Sequence, residues 1–498
     1  MAHGRPLALA SIALTLASSA SVAQRVSAES ASGPLANVPK LLQALQKDGF
    51  ETLQGRFMEL DAVKNACGGA IPSAWYNNVQ PYLAALLPGR VGADPAWESM
   101  ERSLAPAYFL RQDEAIVLVG STPPPMAYFS FQTFLFMRHD LDSYTYDRNT
   151  GGFFAPFVAP FAYLGDTVNS LTIHTTGWTR YEGPMVLIST GNRTTLARLI
   201  RAVRAAGYPA AVLNTETLPS SLIRFGYDKG DQFLFLMRTA IAFGGEDAMS
   251  RYKAAMTDPA VAPLRVFRVR PATESKADPL PAPVLRARGT GRTEMDLVPA
   301  MERLRLAILA RYGGEFDAAE LDTLLPDAFP EGYPAIQRHV VYQGPGREGS
   351  AGYGRDASYL ASSWFDLPDD AFAVVYGVDH AATGKATYSS VSVYLDQTLD
   401  IGVATADSAD FAASPHSAAA YLPGDPSADT FYVWQVRRDC TGVSNCLEAK
   451  SLEPACERKV GADAPVRLGF RAYAEPATRV GPADAELVYD RVIVFTPK

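Results

Sequence analysis

From Val38 to Leu87 the apolar residues recur at three- and four-residue steps, through Leu41, Leu42 and Leu45 and then Phe50, Leu53, Phe57 and Leu60. That spacing lines one face of a helix. The run CGGAIPSAWYNN interrupts it, and residues 24–108 are expected to form a mainly helical N-terminal segment packed on the next region of the chain. Residues 109–270 switch to short apolar runs separated by proline and glycine: AIVLVG, AYFSFQTFLF, SLTIHTT, PMVLIST, AAVLNT, QFLFLMR and LRVFRVR. Many short strands between turns predict a sandwich or barrel. One helix interrupts them, because TTLARLIRAVRAAG sets Leu196, Leu199, Ile200 and Val203 on one face and stops at Gly207, giving a strand, helix, strand unit.

Residues 271–337 read as a Pro-, Ala- and Arg-rich linker followed by a packing helix. In that helix Leu297, Met301, Leu304 and Ile308 share a face and Gly313-Gly314 forms the stop. Strands return over 338–498 as HVVYQ, AFAVVYG, ATYSSVSVYL, TFYVWQVRRDC, VRLGFRAYA and AELVYDRVIVF. The two β regions share an order: acidic lead-in, strand ending in glycine, polar loop, second strand. DEAIVLVGSTPPPMAYFSFQ at 113–132 answers to DDAFAVVYGVDHAATGKATYSSV at 369–391, with Ala127 set on Ala386 and Ser130 on Ser389. The expected fold is α+β and mainly β, with two related antiparallel β-sandwich-like domains, added helices and a helical N-terminal segment. Two apolar strand pairs can also look alike without common origin, so the test is strand order and register.

The strand AYFSFQTF, with the turn Leu164-Gly165-Asp166 some thirty residues on, resembles a strand of the type Tyr-aromatic-Ser-aromatic-Gln. A widespread group of bacterial exported proteins of uncharacterised function carries such a strand in two β-rich domains. The resemblance covers residues 113–175. It implies tandem β-sandwiches and no chemistry.

Composition narrows the setting. Arg5, the apolar run Leu7–Leu16 and the small-x-small site Ser21-Val22-Ala23 form a secretory signal peptide over 1–23, with cleavage expected after Ala23. No later stretch is long and apolar enough for a membrane helix. The chain is therefore expected in the periplasm or outside the cell. Loss of Arg5 takes the formal net charge from -8 to -9, which argues against a nucleic-acid partner. Cys67, Cys440, Cys446 and Cys456 are even in number in an exported chain, so disulfides are favoured over zinc. One bridge is expected within Cys440, Cys446 and Cys456, leaving Cys67 to tie the N-terminal region to that loop.

Candidate chemistry gathers first in the loop GVDHAATGK. Asp379 beside His380 fits an oriented general base, and Lys385 fits an anion holder. In a functional loop His380→Ala and Lys385→Ala would reduce ligand binding or turnover while leaving stability within about 1 kcal/mol; the plain alternative is a polar hairpin. His139 and Asp140, in FMRHDLD, present donors for a divalent ion but match no closed motif, so no metal is assigned. His174 alternates in SLTIHTT onto a face that Asp166 and Asn169 could reach. GPGREG at 344–349 matches G-x-G-x-x-G without a following helix, and no nucleophile elbow, zinc-protease or Walker motif occurs, so no cofactor is expected. The function expected is binding of a small or oligomeric ligand near the junction of the two β domains. A hydrolase or lyase using His380, Asp379 and Lys385, or a structural envelope protein, are the alternatives.

Overall fold

The computed structural model describes residues 33–67, 82–88, 104–139, 157–158, 162–177, 179–227, 230–324, 354–397, 400–413, 417–451, 456 and 463–498. Residues 1–23, expected to form a signal peptide, together with Asp140, the segment 344–349 and the run HVVYQ, lie outside these residues.

Each β region is a two-sheet sandwich, and the strand order is the same in both. In the first half the outer sheet runs Phe50–Gln54, Leu264–Pro271, Ala115–Ser121, Pro184–Thr190, Leu213–Thr217. In the second it runs Phe316–Leu321, Arg491–Pro497, Phe372–Val378, Phe431–Arg437, Cys446–Glu448. In each sheet the last pair is parallel and the others are antiparallel. The inner sheets correspond as well. Arg56–Glu59, Tyr82–Pro88, Gln232–Ala242, Met126–His139, Val168–Asn169 match Thr323–Leu324, Ala357–Ser362, Val466–Tyr473, Tyr388–Leu395, Ile401–Asp407.

Register fixes the equivalences. Phe50 lies opposite Pro271 as Phe316 lies opposite Pro497. Arg238 sits between Ser130 and Tyr82, and Arg471 sits between Ser390 and Tyr359. Ser130 therefore corresponds to Ser390, one residue beyond the Ser389 expected from the sequence, and Tyr128 corresponds to Tyr388. A one-residue shift exchanges the two faces of a strand, so the correction decides which side chains meet at the junction.

Layers follow from the cores. Helices Val38–Lys47 and Arg193–Ala205 pack Leu41, Leu45, Leu199 and Val203 on the outer sheet of the first half. Helix Val298–Tyr312 packs Met301, Leu304 and Ile308 on the outer sheet of the second. Phe129, Phe131 and Phe235 fill the space between the first pair of sheets, and Val391, Val393 and Phe470 fill the second. The inner sheets meet through Tyr128, Tyr359, Tyr388 and Tyr473.

The N-terminal segment differs from the helical expectation. The helix ends at Lys47, Gly49 takes a positive φ of 75°, and two strands follow. Phe50 and Leu53 then belong to the outer sheet and Phe57 to the inner one. The apolar steps that mimic one helix come from two short strands joined at Gly55, where a Cβ would lie 2.4 Å from the Leu86 carbonyl. Likewise Phe316–Leu321, expected in the linker region, is the first strand of the second half.

Both disulfides agree with the sequence: Cys440–Cys446 closes the local loop, and Cys67–Cys456 joins the two halves.

Candidate functional site

The loop after Phe372–Val378 is built around buried charge, although its charged groups do not form one constellation. His380 is 4% exposed and its Nδ1 lies 3.0 Å from both carboxylate oxygens of Glu294. The same carboxylate accepts from Thr383 Oγ1 at 2.5 Å and from the Val488 amide at 3.0 Å. The imidazole is thus oriented by Glu294, not by Asp379. Asp379 accepts instead from the Ala381 amide and Ser389 Oγ. Burial alone would lower the His380 pKa, but the Glu294 carboxylate outweighs it and holds the imidazole above its ordinary value. Glu294 is also opposed by burial and is held below its usual value by His380 and its hydrogen bonds.

Lys385 pairs with other carboxylates than His380 does. Its Nζ lies 2.9 Å from Glu475 and 2.5 Å from Glu486. The linker supplies the rest of that carboxylate's shell: Gly289 and Gly291 have φ of 81° and 80°, and the turn they permit brings the Thr290 and Gly291 amides to Glu486 at 3.0 and 2.5 Å. A Cβ at Gly289 would lie 2.7 Å from Glu486 Oε1. Loop and linker are therefore laced together by buried ion pairs. Asp490 completes the end of the sandwich. It accepts from Tyr432 Oη at 2.5 Å, and it approaches Gly377 so closely that a Cβ there would meet its carboxylate at 1.9 Å. Burial pushes Asp490 up to about 6.

The other candidates are dispersed. Asp166 bridges the halves, accepting from Arg355 Nε at 2.8 Å and from the Arg286 amide at 2.7 Å. Asn169 donates to the Arg479 carbonyl and to Thr167 Oγ1. His174 is exposed in a segment that is not a strand, with Nδ1 3.3 Å from the Leu213 carbonyl, so the face expected to gather it with Asp166 and Asn169 does not form. His139 ends the long strand Met126–His139, its backbone paired with Phe157. Among the described residues no cluster of three or more His, Cys, Asp or Glu side chains could hold a metal.

Two features escape the sequence patterns. The first is a cleft of about 530 Å³ beside the linker, lined by residues 320–323, by Met295 and Val298 at the start of the packing helix, and by Asp484, Ala485, Leu487–Tyr489, Arg491 and Val492. The same segment reaches the ion pairs of the loop through the Val488 amide, which donates to Glu294, and through the Glu486 carboxylate, which holds Lys385. Asp484 Oδ1 accepts from Ser358 Oγ, two residues after Asp356, whose carboxylate accepts from Thr167 of the first half at 3.1 Å. The cleft thus lies next to the junction.

The second is a polar network inside the first sandwich. Glu216 accepts from the Thr133 amide, Thr133 Oγ1 and Ser189 Oγ, each at 2.6 Å. Arg268, 1% exposed, donates to Glu114 at 2.7 Å and to the Pro88 and Phe109 carbonyls. Its sequence signal was parity: in LRVFRVRP, Leu264, Val266 and Arg268 share the inward face.

No protein-family model matches the chain, and no curated protein matches it. Among solved structures it is similar to a putative uncharacterised protein from Burkholderia cenocepacia, at 12% identity and a TM-score of 0.36 over 94% of this chain and 91% of that one. It is also similar to the VPA0106 protein from Vibrio parahaemolyticus, at 12% identity and a TM-score of 0.37 over 92% and 99%. At these scores neither bears on the site.

Proposed function

We propose that the protein is an exported binding protein whose small ligand occupies the cleft beside the linker, close to the junction of the two halves. The observation that carries this is the cleft itself. Its volume of about 530 Å³ falls within the range of small-molecule sites, and its mixture of apolar walls with a few polar groups is typical of them. Two disulfides support export, and no helix among the described residues is long and apolar enough to cross a membrane.

The platform of Glu294, His380, Lys385, Glu475 and Glu486 acts in this reading as a support. It fixes the segment 484–490 that forms one wall. An acid–base enzyme is the second reading, favoured by the carboxylate-held imidazole of His380. It ranks below binding because His380 is buried and is absent from the residues lining the cleft.

A thermal-shift screen of the mature protein against small acids, sugars and amines tests the proposal, since a ligand that binds only the native state raises the melting temperature with concentration. A stabilising compound should lose its effect in Leu321→Lys. Stabilisation that survives this change unaltered would place the ligand elsewhere.

A further inference from the structure

The duplicated register explains why the cleft exists. A single offset relates Phe50 to Phe316, Gly55 to Leu321, Arg56 to Asp322 and Phe57 to Thr323. In the first half Phe57 is 1% exposed and its ring belongs to the inter-sheet core. Helix Gly245–Thr257, in the connection between Gln232–Ala242 and Leu264–Pro271, adds Tyr252 and Met256 to that core. In the second half the corresponding connection, from Tyr473 to Arg491, holds only the 3-10 turn Asp484–Glu486, and Thr323 stands where the ring would be. Thr323, whose hydroxyl donates to the Asp490 carbonyl, thus lines the cleft at the position that carries an aromatic ring in the first half.

The walls of that space are apolar at Val298, Leu321, Leu487 and Val492 and acidic at its rim. Glu320 is bound by Arg305 at 2.5 and 2.6 Å, and Arg491 leans toward Glu302 at 3.4 Å. Asp322 is exposed, and its carboxylate has no hydrogen-bond or ion-pair partner among the described residues. Of the charged residues lining the cleft, Glu320, Asp322 and Asp484 are acidic and Arg491 is basic, and Asp484 is held by Ser358.

We infer that the cleft takes a ligand carrying an aromatic ring and a cationic group, the ring entering the space that Phe57 fills in the first half and the cation lying against Asp322 and Asp484. The inference rests on the proposed binding cleft and names the chemistry of its ligand. Ring burial supplies the apolar contact area and the rim carboxylates supply charge selectivity.

Three probes share one ring: tryptamine, tryptophol and indole-3-acetate, each titrated calorimetrically into the mature protein. Tryptamine should bind at least about tenfold more tightly than tryptophol, with indole-3-acetate weakest, and the preference should shrink as salt is raised. Asp322→Asn should bring tryptamine to the affinity of tryptophol and leave tryptophol unchanged. Thr323→Phe, which restores the ring of the first half, should abolish binding of all three, whereas Thr323→Val, which removes the hydroxyl without filling the space, should not. Binding of indole-3-acetate as tightly as tryptamine would overturn the charge assignment. If the indoles fail but another compound from the thermal screen binds and is expelled by Thr323→Phe, the ligand chemistry is wrong and the cleft stands. If neither Thr323→Phe nor Leu321→Lys alters any ligand's affinity, the cleft falls as well.

Discussion

The two halves share strand order and register, yet they bury charge at opposite ends. In the first, Glu114, Thr133, Ser189, Glu216 and Arg268 point between the sheets. The equivalent positions in the second are Ala371, Val393, Val436, Leu447 and Val494, all members of one aliphatic core. The second half instead clusters Asp379, His380 and Asp490 beyond the far end of Phe372–Val378, where the first has Thr122, Pro123 and Leu264. One backbone therefore accepts either an apolar or an ionic core, provided each buried polar group finds partners. The fold fixes the frame; where charge is placed within it is free to diverge.

Acidity gives the largest expected contrast. Whereas in the first half burial raises the carboxyl of Glu216 against its hydrogen bonds from Ser189 and Thr133, in the second half it pushes Asp356 up to about 7 and Asp407 and Asp490 up to about 6. Their neutral forms are favoured in the folded state, so the stability they contribute is complete below the usual 3.8 and is lost as pH rises through 6 and 7. His380, also raised, acts in the same direction, because its pair with Glu294 is lost on deprotonation. Glu294, held low, opposes them only on acidification below its usual 4.5. Unfolding free energy should fall by about 5 kcal/mol between pH 5 and pH 8. Hydrogen exchange should show the loss concentrated in second-half strands; equal loss in both halves breaks the comparison.

Replacing Arg268 by Val, the residue of the second half, should cost about 4 kcal/mol in urea unfolding because Glu114 is left charged and buried. Adding Glu114→Ala should recover most of it. A double variant as unstable as the single one would show that the first sandwich cannot be converted to the apolar scheme. His380→Ala should cost about 3 kcal/mol, since it strands Glu294. That exceeds the change of about 1 kcal/mol expected from the sequence for His380 in a functional loop, and a loss below about 1 kcal/mol would restore that expectation. His174→Ala, at an exposed position, should change stability by less than about 0.5 kcal/mol and ligand binding not at all.

Much of the frame is legible in the chain. Period-two runs, glycine stops and the paired acidic lead-ins give the strands, and the cysteine spacing points to one bridge within the Cys440–Cys456 loop with Cys67 tied to that loop, though not to which cysteines pair. The register expected from the sequence is off by one residue because Ala127 and Ala386 look alike, while the true anchors, Arg238 and Arg471, lie more than a hundred and about eighty residues from the strands they align. His380, Asp379 and Lys385 stand out in the sequence as charge packed into one short loop, but the partners Glu294, Glu475 and Glu486 come from distant segments. No local pattern carries such contacts. The cleft is invisible for a related reason: it is a missing ring and a missing helix, recognisable only when one half is laid on the other.

The bond between Cys67 and Cys456 spans 389 residues of chain, and most strands of both sandwiches lie within the loop it closes. Topologically the protein is a large covalent ring with two tails. A protease cut in the linker would open that ring without releasing a fragment, so the nicked protein should run as one species until a reductant is added and as two thereafter. The linker can therefore be severed while both sandwiches remain on a common tether.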